Sequence, residues 1–173
     1  MINSFKGRYF FLSNFYPCEI KHRGITYPST EHYYVAMKVK GDQIIDGRFY
    51  PEADVREMIS MIKTPGDAKR FGRTKINLRK DWSDVKLEVM NWCIREKFKD
   101  DKLKEMLLST GEEELIEGND WHDVYWGVCN CLKCCSKGEN NLGKILMKVR
   151  KELTKKTKER PSLEDILFPT KEN

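Results

Sequence analysis

The apolar and polar positions along the chain predict a short β-rich stretch followed by a series of helices. Residues 5–27 alternate aromatic and polar positions, with turn residues between them, which is typical of short strands. The clearest pair predicts a hairpin with arms at residues 18–21 and 24–27. Residues 114–117 predict one further short strand, so we expect the β-structure to be a small sheet.

Helices are expected to make up most of the fold, because apolar residues recur at helical spacing in several segments. Ser29 and Thr30 supply helix-start chemistry for the first helix, and Gly41 is placed to end it. The predicted helices are residues 31–40, 51–62, 82–98, 102–109 and 142–153. For a chain of 173 residues, this pattern indicates an α+β fold, a predominantly helical single domain with a small β-sheet.

Positive charge is concentrated near the end of the chain. The stretch from Lys144 to Arg160 holds eight lysines or arginines against two glutamates, whereas the remaining sequence is almost neutral. Such a run is common on a solvated helix face, but it also suits contact with a nucleic-acid backbone. We therefore divide the chain into a domain at residues 1–153 and a basic C-terminal extension at residues 154–173, which we expect to pack loosely.

The hydropathy of the chain argues against a membrane or secreted protein. No apolar run approaches the roughly 20 residues that a membrane span needs. The first residues lack the apolar core of a signal peptide. We expect a cytoplasmic protein without a membrane partner.

Cysteines cluster in one short segment, at Cys129, Cys131, Cys134 and Cys135. In a reducing compartment we expect free thiols rather than disulfides, with a structural zinc ion as the alternative. The adjacent pair Cys134 and Cys135 would chelate one ion awkwardly. His22 and His122 have no partner at metal-ligand spacing, so the histidines give no zinc-hydrolase signature.

The segment from Ser29 to Tyr34 carries the most informative polar residues. In a helix that runs to Lys40, Glu31 and Lys38 lie seven residues apart and share a face. A carboxylate beside an amine suits acid–base catalysis or a Schiff base. Spacing alone favours an exposed pair that lies too far apart for a salt bridge. His32 points about 100° away from Glu31, so we expect it to make a structural hydrogen bond.

Two further features allow for a ligand without requiring one. The aromatic residues of the first 34 positions suit either a cleft that stacks on a planar base or ordinary core packing. They are Phe11, Phe15, Tyr16, Tyr33 and Tyr34. The stretch from Gly138 to Gly143 leads into the last predicted helix, where free backbone amides would suit a phosphate.

Several of these segments, taken in order, resemble the NADAR superfamily, also called the YbiA-like family. The resemblance covers about Phe5 to Leu153. The motifs that carry it are Phe11-Leu12-Ser13-Asn14-Phe15, Tyr27-Pro28-Ser29-Thr30-Glu31-His32-Tyr33-Tyr34 with Ala36 and Lys38, Gly72-Arg73, Arg79-Lys80-Asp81-Trp82, Tyr125-Trp126-Gly127, and Gly138-x-Asn140-x-Leu142-Gly143. The cysteine-bearing stretch from Val128 to Lys137 departs from the shorter glycine-rich link associated with bacterial members.

The resemblance implies an N-glycosidase that cleaves a ribose–nitrogen bond without a cofactor. Its catalytic residues would be Glu31, as a base or a stabiliser of the ribosyl cation, and Lys38, whose neutral amine could attack C1′ and form an imine. The substrate-binding positions implied by the family are Asn14, Phe15, Tyr34, Arg73, Trp82, Asp123, Trp126, Gly127 and Asn140.

The resemblance leaves the substrate open. Removal of ADP-ribose from modified guanine in nucleic acid is the first reading, since the basic C-terminal segment would contact the nucleic acid. Cleavage of phosphorylated ribosylamine intermediates of riboflavin biosynthesis is the second. A module that binds ADP-ribose or nucleic acid without cleavage is the third, and the presence of both Glu31 and Lys38 argues against it.

Overall fold

The computed structural model describes residues 1–158 and has the α+β architecture that the sequence predicts. A 3-10 helix spans Gly7–Leu12. The α-helices are α1 Thr30–Ala36, α2 Glu52–Ser60, α3 Pro65–Thr74, α4 Trp82–Lys97, α5 Asp101–Leu108 and α6 Asn141–Lys158. The strands are β1 Pro17–His22, β2 Ile25–Ser29, β3 Gln43–Ile45, β4 Arg48–Tyr50, β5 Gly118–Asn119 and β6 Val128–Cys129.

The β-structure consists of three separate two-stranded pairings instead of one small sheet. The predicted hairpin is confirmed, since β1 and β2 pair antiparallel. A second antiparallel hairpin, β3 with β4, has no counterpart in the prediction, and β5 pairs with β6 in parallel. The strand predicted at residues 114–117 is wrong, because that segment makes only an isolated bridge from Leu115 to Ile2. The residues before β1 form the 3-10 helix where short strands were expected.

Helix α1 lies at the centre of the fold, and all seven of its residues are buried. It contacts β1, β2, α2, α3 and α4, so its side chains meet the core on every face. Ser29 caps its N-terminus by accepting a hydrogen bond from the backbone N–H of His32 at 3.3 Å. The His32 ring bonds Ser29 Oγ at 2.7 Å and the Ile62 carbonyl at 2.9 Å, which is the structural role expected of it.

The predicted length of this helix is wrong, because α1 ends at Ala36 and not at Lys40. The backbone amides of Lys38 and Val39 bond carbonyls three residues back, so the chain tightens and leaves the helix. The carbonyls of Met37 and Lys38 instead accept hydrogen bonds from Arg79. Lys38 therefore follows the helix, and the shared-face argument for Glu31 and Lys38 fails.

Helix α3 was not predicted, because Pro65 and Gly66 are residues that commonly interrupt a helix. The proline instead occupies the first turn, where its missing N–H costs nothing, and Thr64 Oγ1 caps the Asp67 amide at 3.1 Å. Near its other end, Gly72 packs closely on α1. A Cβ at this position would lie 2.6 Å from Val35 Cγ1.

The last helix is longer than predicted and continues to Lys158. Its buried Arg150 donates to Thr110 Oγ1 at 2.7 Å and to the Glu113 carbonyl at 2.8 Å, which ties α6 to the end of α5. The rest of the predicted C-terminal extension, residues 159–173, lies outside the described residues. Within residues 1–158, no helix is long and apolar enough to cross a membrane.

Candidate active site

A cavity of about 150 Å³ opens where several separate segments of the chain meet. They are the turn after the 3-10 helix, α1, α3, α4, the segment before β5, the loop between β5 and β6, and the start of α6. The lining residues are Ser13, Asn14, Phe15, Glu31, Tyr34, Lys69, Met90, Glu117, Trp121, Asp123, Trp126 and Leu142. Six predicted site residues are thus brought together: Asn14, Phe15, Glu31, Tyr34, Asp123 and Trp126.

Glu31 stands in the first turn of α1, and its residue is only 6% exposed. Its backbone N–H donates to the Asn14 carbonyl at 3.0 Å, which joins the helix start to the turn that carries Asn14. Within residues 1–158 its carboxyl accepts no hydrogen bond. Burial raises the pKa of Glu31, and the nearby positive charges of Lys69 and Lys38 offset part of that increase.

Glu117 supplies a second carboxyl group to the same cavity and was not predicted from the sequence. Burial, together with the negative charge of Asp123, raises the pKa of Glu117 to about 7. Its Oε2 is buried without a hydrogen-bond partner in residues 1–158. At pH 7 a carboxyl group with this pKa is protonated in about half of the molecules, and the protonated form can donate to a ligand.

Asn140 fixes the segment that carries Glu117. Its Oδ1 accepts from the Glu117 backbone N–H at 3.0 Å, and its Nδ2 donates to the Leu115 carbonyl at 2.9 Å. The side chain predicted to bind substrate is therefore occupied with the backbone. Gly127 is close to the same segment, since a Cβ there would lie 2.1 Å from the Glu117 carbonyl. Neither residue lines the cavity.

Four backbone amides of the predicted phosphate loop before α6 are already bonded, which contradicts the expectation that they are free for a phosphate. The amides of residues 139–142 donate to the carbonyls of Val124, Gly127, Tyr125 and Trp126 respectively, at 2.8–3.3 Å. These bonds hold the two halves of the loop between β5 and α6 together. A phosphate would have to replace them.

Asp123 shapes the backbone of its own loop and also lines the cavity. Its Oδ1 accepts from the backbone amides of Tyr125 and Trp126 at 3.1 and 2.8 Å, so it shapes the turn that presents Trp126. The buried Asn119 holds the preceding turn, donating to the Asp123 carbonyl at 2.8 Å and accepting from its amide at 3.1 Å. The carboxylate of Asp123 thus lines the cavity on a braced loop.

Aromatic rings form one wall of the cavity. Tyr34 packs against Trp82 and Trp126, with ring centroids 4.9 and 5.6 Å apart. Trp82 lies behind Tyr34 in this row and does not line the cavity. Trp121 lines the cavity mouth and is 55% exposed, which leaves its face free for a planar group. It was not predicted, because one tryptophan in a polar loop gives no periodic signal.

Two lysines place positive charge near Glu31. The Nζ of Lys38 lies 5.3 Å from the ring centroid of Tyr34 and 5.9 Å from that of Trp82, and the residue does not line the cavity. Burial lowers the pKa of Lys38, although the charge of Glu31 acts in the opposite direction. Lys69 lines the cavity from α3 with an exposed side chain, and sequence reasoning missed it together with its helix. The predicted Arg73 lies exposed one turn further along α3 and does not line the cavity.

The cysteine segment forms a second cluster of chemically active groups. His122, Cys129, Cys131 and Cys134 have donor atoms that all lie within 4.8 Å of one another. The expectation that His122 has no metal-ligand partner is therefore wrong. Cys135 lies outside this set, and its thiol donates to the Leu132 carbonyl at 3.1 Å.

Comparison with known proteins gives a consistent result. The NADAR domain model matches residues 3–154. A riboflavin biosynthesis protein of Vibrio vulnificus is 37% identical over 145 residues, which cover 83% of this chain and 35% of that longer protein. The N-glycosidase YbiA of Escherichia coli is 36% identical over 143 residues, covering 82% of this chain and 79% of YbiA. The NMR structure of Escherichia coli YbiA superposes with a TM-score of 0.71 at 33% identity, covering 92% of this chain and 90% of that one.

Proposed function

Because the chain belongs to the NADAR domain family, we propose that it hydrolyses the N-glycosidic bond between a ribose and a nitrogen atom. The observation that carries this proposal is Glu31, a buried carboxyl group that faces the cavity without a hydrogen-bond partner in residues 1–158. Cleavage of a glycosidic bond builds positive charge at C1′, and a carboxylate beside that carbon stabilises it.

Glu117 acts as the general acid in the first step. As the C1′–N bond breaks, its electron pair stays with the leaving nitrogen, which takes a proton from the Glu117 carboxyl. A pKa of about 7 for Glu117 keeps that proton available near neutral pH. Asn14 Oδ1, which is buried and has no partner in residues 1–158, accepts a hydrogen bond from a ribose hydroxyl.

Lys38 acts as the nucleophile. Its neutral amine bonds to C1′ as the base leaves, and Glu31 carries a proton from the lysine nitrogen to the ring oxygen, so the ribose opens to an imine. Water then adds to C1′, expels the amine and restores the proton to Glu117. The low dielectric around Lys38 favours the neutral amine that this route requires. The amine must move from the Tyr34 ring into the cavity.

Borohydride reduction tests the role of Lys38. During turnover, wild-type protein should gain the mass of the reduced ribosyl fragment on Lys38. Lys38→Ala should lose both this adduct and nearly all activity, whereas Lys63→Ala, at an exposed lysine in the connection between α2 and α3, should retain both. Normal turnover by Lys38→Ala, with no adduct on the wild type, would exclude the imine.

The substrate proposed for this site is ADP-ribose attached to guanine in a nucleic acid. Exposed lysines at positions 144, 148, 151 and 155 fall on one face of α6, since their spacing follows the helical repeat. The same helix begins at the cavity, which Leu142 lines. Phosphates of a nucleic acid that enters the cavity would meet this face and Lys69.

A small phosphorylated ribosylamine is the second candidate substrate, and the name of the Vibrio vulnificus relative favours it. The cavity of about 150 Å³ suits a ribose-sized group, and Lys69 at its edge suits a phosphate. This reading needs no contact with α6.

One experiment separates the two substrates and the binding-only alternative. The full chain is incubated with an ADP-ribosylated DNA oligonucleotide, and separately with a phosphorylated ribosylamine of the riboflavin pathway. Free ADP-ribose from the first supports the proposal, and cleavage of the second alone supports the alternative. Binding without release of either product would contradict an N-glycosidase. Glu31→Gln is the inactive control, and Glu57→Gln on the exposed face of α2 is its matched counterpart.

A further inference from the structure

The four donor atoms of His122, Cys129, Cys131 and Cys134 have the spacing of a tetrahedral metal site. The Nδ1 of His122 lies 3.3 Å from the Sγ atoms of both Cys131 and Cys134, and all four donors lie within 4.8 Å of one another. Zinc bonds of about 2.3 Å to sulfur and about 2.0 Å to nitrogen place one nitrogen and three sulfur donors about 3.5–3.8 Å apart in a tetrahedron. Around an ion, donors at the 4.8 Å limit would move about 1 Å closer together.

Cys131 and Cys134 form a compact chelating turn. The Cys134 amide donates to the Cys131 carbonyl at 3.1 Å and approaches its Sγ at 3.4 Å, and the Cys135 amide donates to the same carbonyl at 3.0 Å. An N–H directed at sulfur stabilises a thiolate ligand. Cys135 and Ser136 have left-handed φ values of 50° and 56°, and these turn the chain away from the cluster. Cys135 is thereby excluded, which removes the problem of adjacent ligands.

The other two ligands come from firmly held backbone. Cys129 is buried in β6, and its amide donates to the Lys137 carbonyl at 2.9 Å. His122 has a φ of 66°, a conformation that the buried Asn119 supports by accepting from the amides of both Trp121 and Asp123. The strained position directs the His122 ring toward the sulfur atoms.

We propose that His122, Cys129, Cys131 and Cys134 bind one zinc ion in a closed structural site. Three thiolates and one imidazole complete a tetrahedron, so no position remains for water or substrate, and the ion takes no part in cleavage. Its effect is mechanical. The ligands His122 and Cys129 flank Asp123 and Trp126, so the metal fixes the loop that lines one side of the cavity.

Metal analysis of the full chain tests this site directly. Protein purified without chelator should contain one zinc ion per chain. Cys131→Ser and Cys134→Ser should lose it, while Cys135→Ser should keep it. A zinc-free wild type, or zinc retained equally by all three variants, would overturn the site. A Cys131–Cys134 disulfide found by mass spectrometry under reducing purification would overturn it as well.

Cobalt substitution tests the ligand set without depending on the stability of a variant. Co²⁺-loaded wild type should show thiolate-to-cobalt charge transfer and the visible bands of a tetrahedral ion. His122→Cys should retain cobalt with stronger charge transfer, because a fourth thiolate replaces imidazole. An unchanged spectrum in His122→Cys would remove His122 from the proposed set.

Removal of the zinc ion tests its proposed structural role. Chelation should lower Tm by several degrees and raise KM more than it lowers kcat, because the loop with Asp123 and Trp126 loses its anchor. Loss of kcat alone, with Tm unchanged, would contradict a purely structural ion. Only the kinetic measurement depends on turnover. The zinc content, the cobalt spectrum and the Tm therefore still test the zinc site if the proposed glycosidase activity fails.

Discussion

Two opposing effects act on the carboxyl group of Glu31. Its place in the first turn of α1 favours the ionised form by about 0.3–1 kcal/mol through the helix dipole. Removal of the group from water favours the neutral form and is the larger effect, so the pKa of Glu31 is raised. The positive charges of Lys69 and Lys38 therefore matter, because they lower the pKa of Glu31 and increase the ionised fraction that catalysis needs.

Glu31→Gln should lower turnover by about 10²–10⁴-fold, the usual contribution of a positioned acid or base. The amide has nearly the same shape and removes a buried ionisable group, so Tm should stay the same or increase. Single-turnover kinetics and calorimetry on the same preparation measure both quantities. An active Glu31→Gln protein would show that the chemistry depends on another group.

The proposed acid role of Glu117 predicts a characteristic pH dependence. Wild-type activity should fall as pH rises through about 7, because the Glu117 carboxyl then loses its proton. Glu117→Gln should be slower at low pH and should lack this decline. If the decline persists in the variant, a different group is the acid.

Glu117 should also affect stability with a defined sign. Its folded pKa of about 7 lies above the ordinary value of 4.5, so the ionised group disfavours the folded state. Relative to Glu117→Gln, the wild type should lose unfolding free energy between pH 4.5 and 7, by at most about 1.4 kcal/mol per pH unit, and no more above pH 7. Chemical denaturation at several pH values measures this, with the exposed Glu57→Gln as control.

At the scale of the elements, helix α3 packs closely on the central helix α1 through Gly72. Gly72→Ala should gain up to about 1 kcal/mol of helix propensity, but the new methyl would meet Val35 Cγ1 at 2.6 Å. Val35 is fully buried, so the clash should dominate and lower the free energy of unfolding by about 1–3 kcal/mol. Because Val35→Ala removes the clashing atoms, the two substitutions should couple favourably in a double-mutant cycle. Simple additivity would show that the helices separate freely.

The lysine face of α6 predicts a substrate-dependent effect. Reversal of Lys144, Lys148 and Lys151 to Glu should raise KM for an ADP-ribosylated oligonucleotide and reduce the slope of log KM against log salt by about two to three. KM for a free ribosylamine should not change. Reversal of the exposed Lys63, Lys80 and Lys102 is the control with equal charge change. Equal effects from the two sets would indicate net charge and not a binding face.

At the scale of the whole molecule, local signals predicted much of the fold but little of the site's construction. The β1–β2 hairpin and α4, α5 and α6 follow from turn residues and apolar periodicity, which are local in sequence. The cavity, in contrast, depends on segments more than 80 positions apart, since Asn14, Glu31 and Glu117 meet there. The family resemblance identified Glu31, whereas no local pattern marks Glu117.

The failed predictions share a physical cause. Gly138–Gly143 has the composition of an anion loop, but tertiary contacts with Val124–Gly127 use its amides. The length of α1 was overestimated because Arg79, far along the chain, takes the carbonyls of Met37 and Lys38. The histidine of the metal cluster was missed because its approach to the cysteines depends on a left-handed residue held by Asn119. In each case the local structure depends on a hydrogen bond that residue spacing does not encode.

The carboxamide of Asn140 imitates a peptide group, because it accepts and donates as one residue of a neighbouring strand would. The pairing therefore depends on the amide nitrogen of Asn140. Deamidation to aspartate would replace the donor with a second acceptor, directed at the Leu115 carbonyl, and the pairing would become repulsive. The segment that carries Glu117 would lose one of its two bonds to residue 140 although every side chain in the cavity remained intact. One nitrogen atom outside the cavity would thus decide how firmly the proposed acid is held.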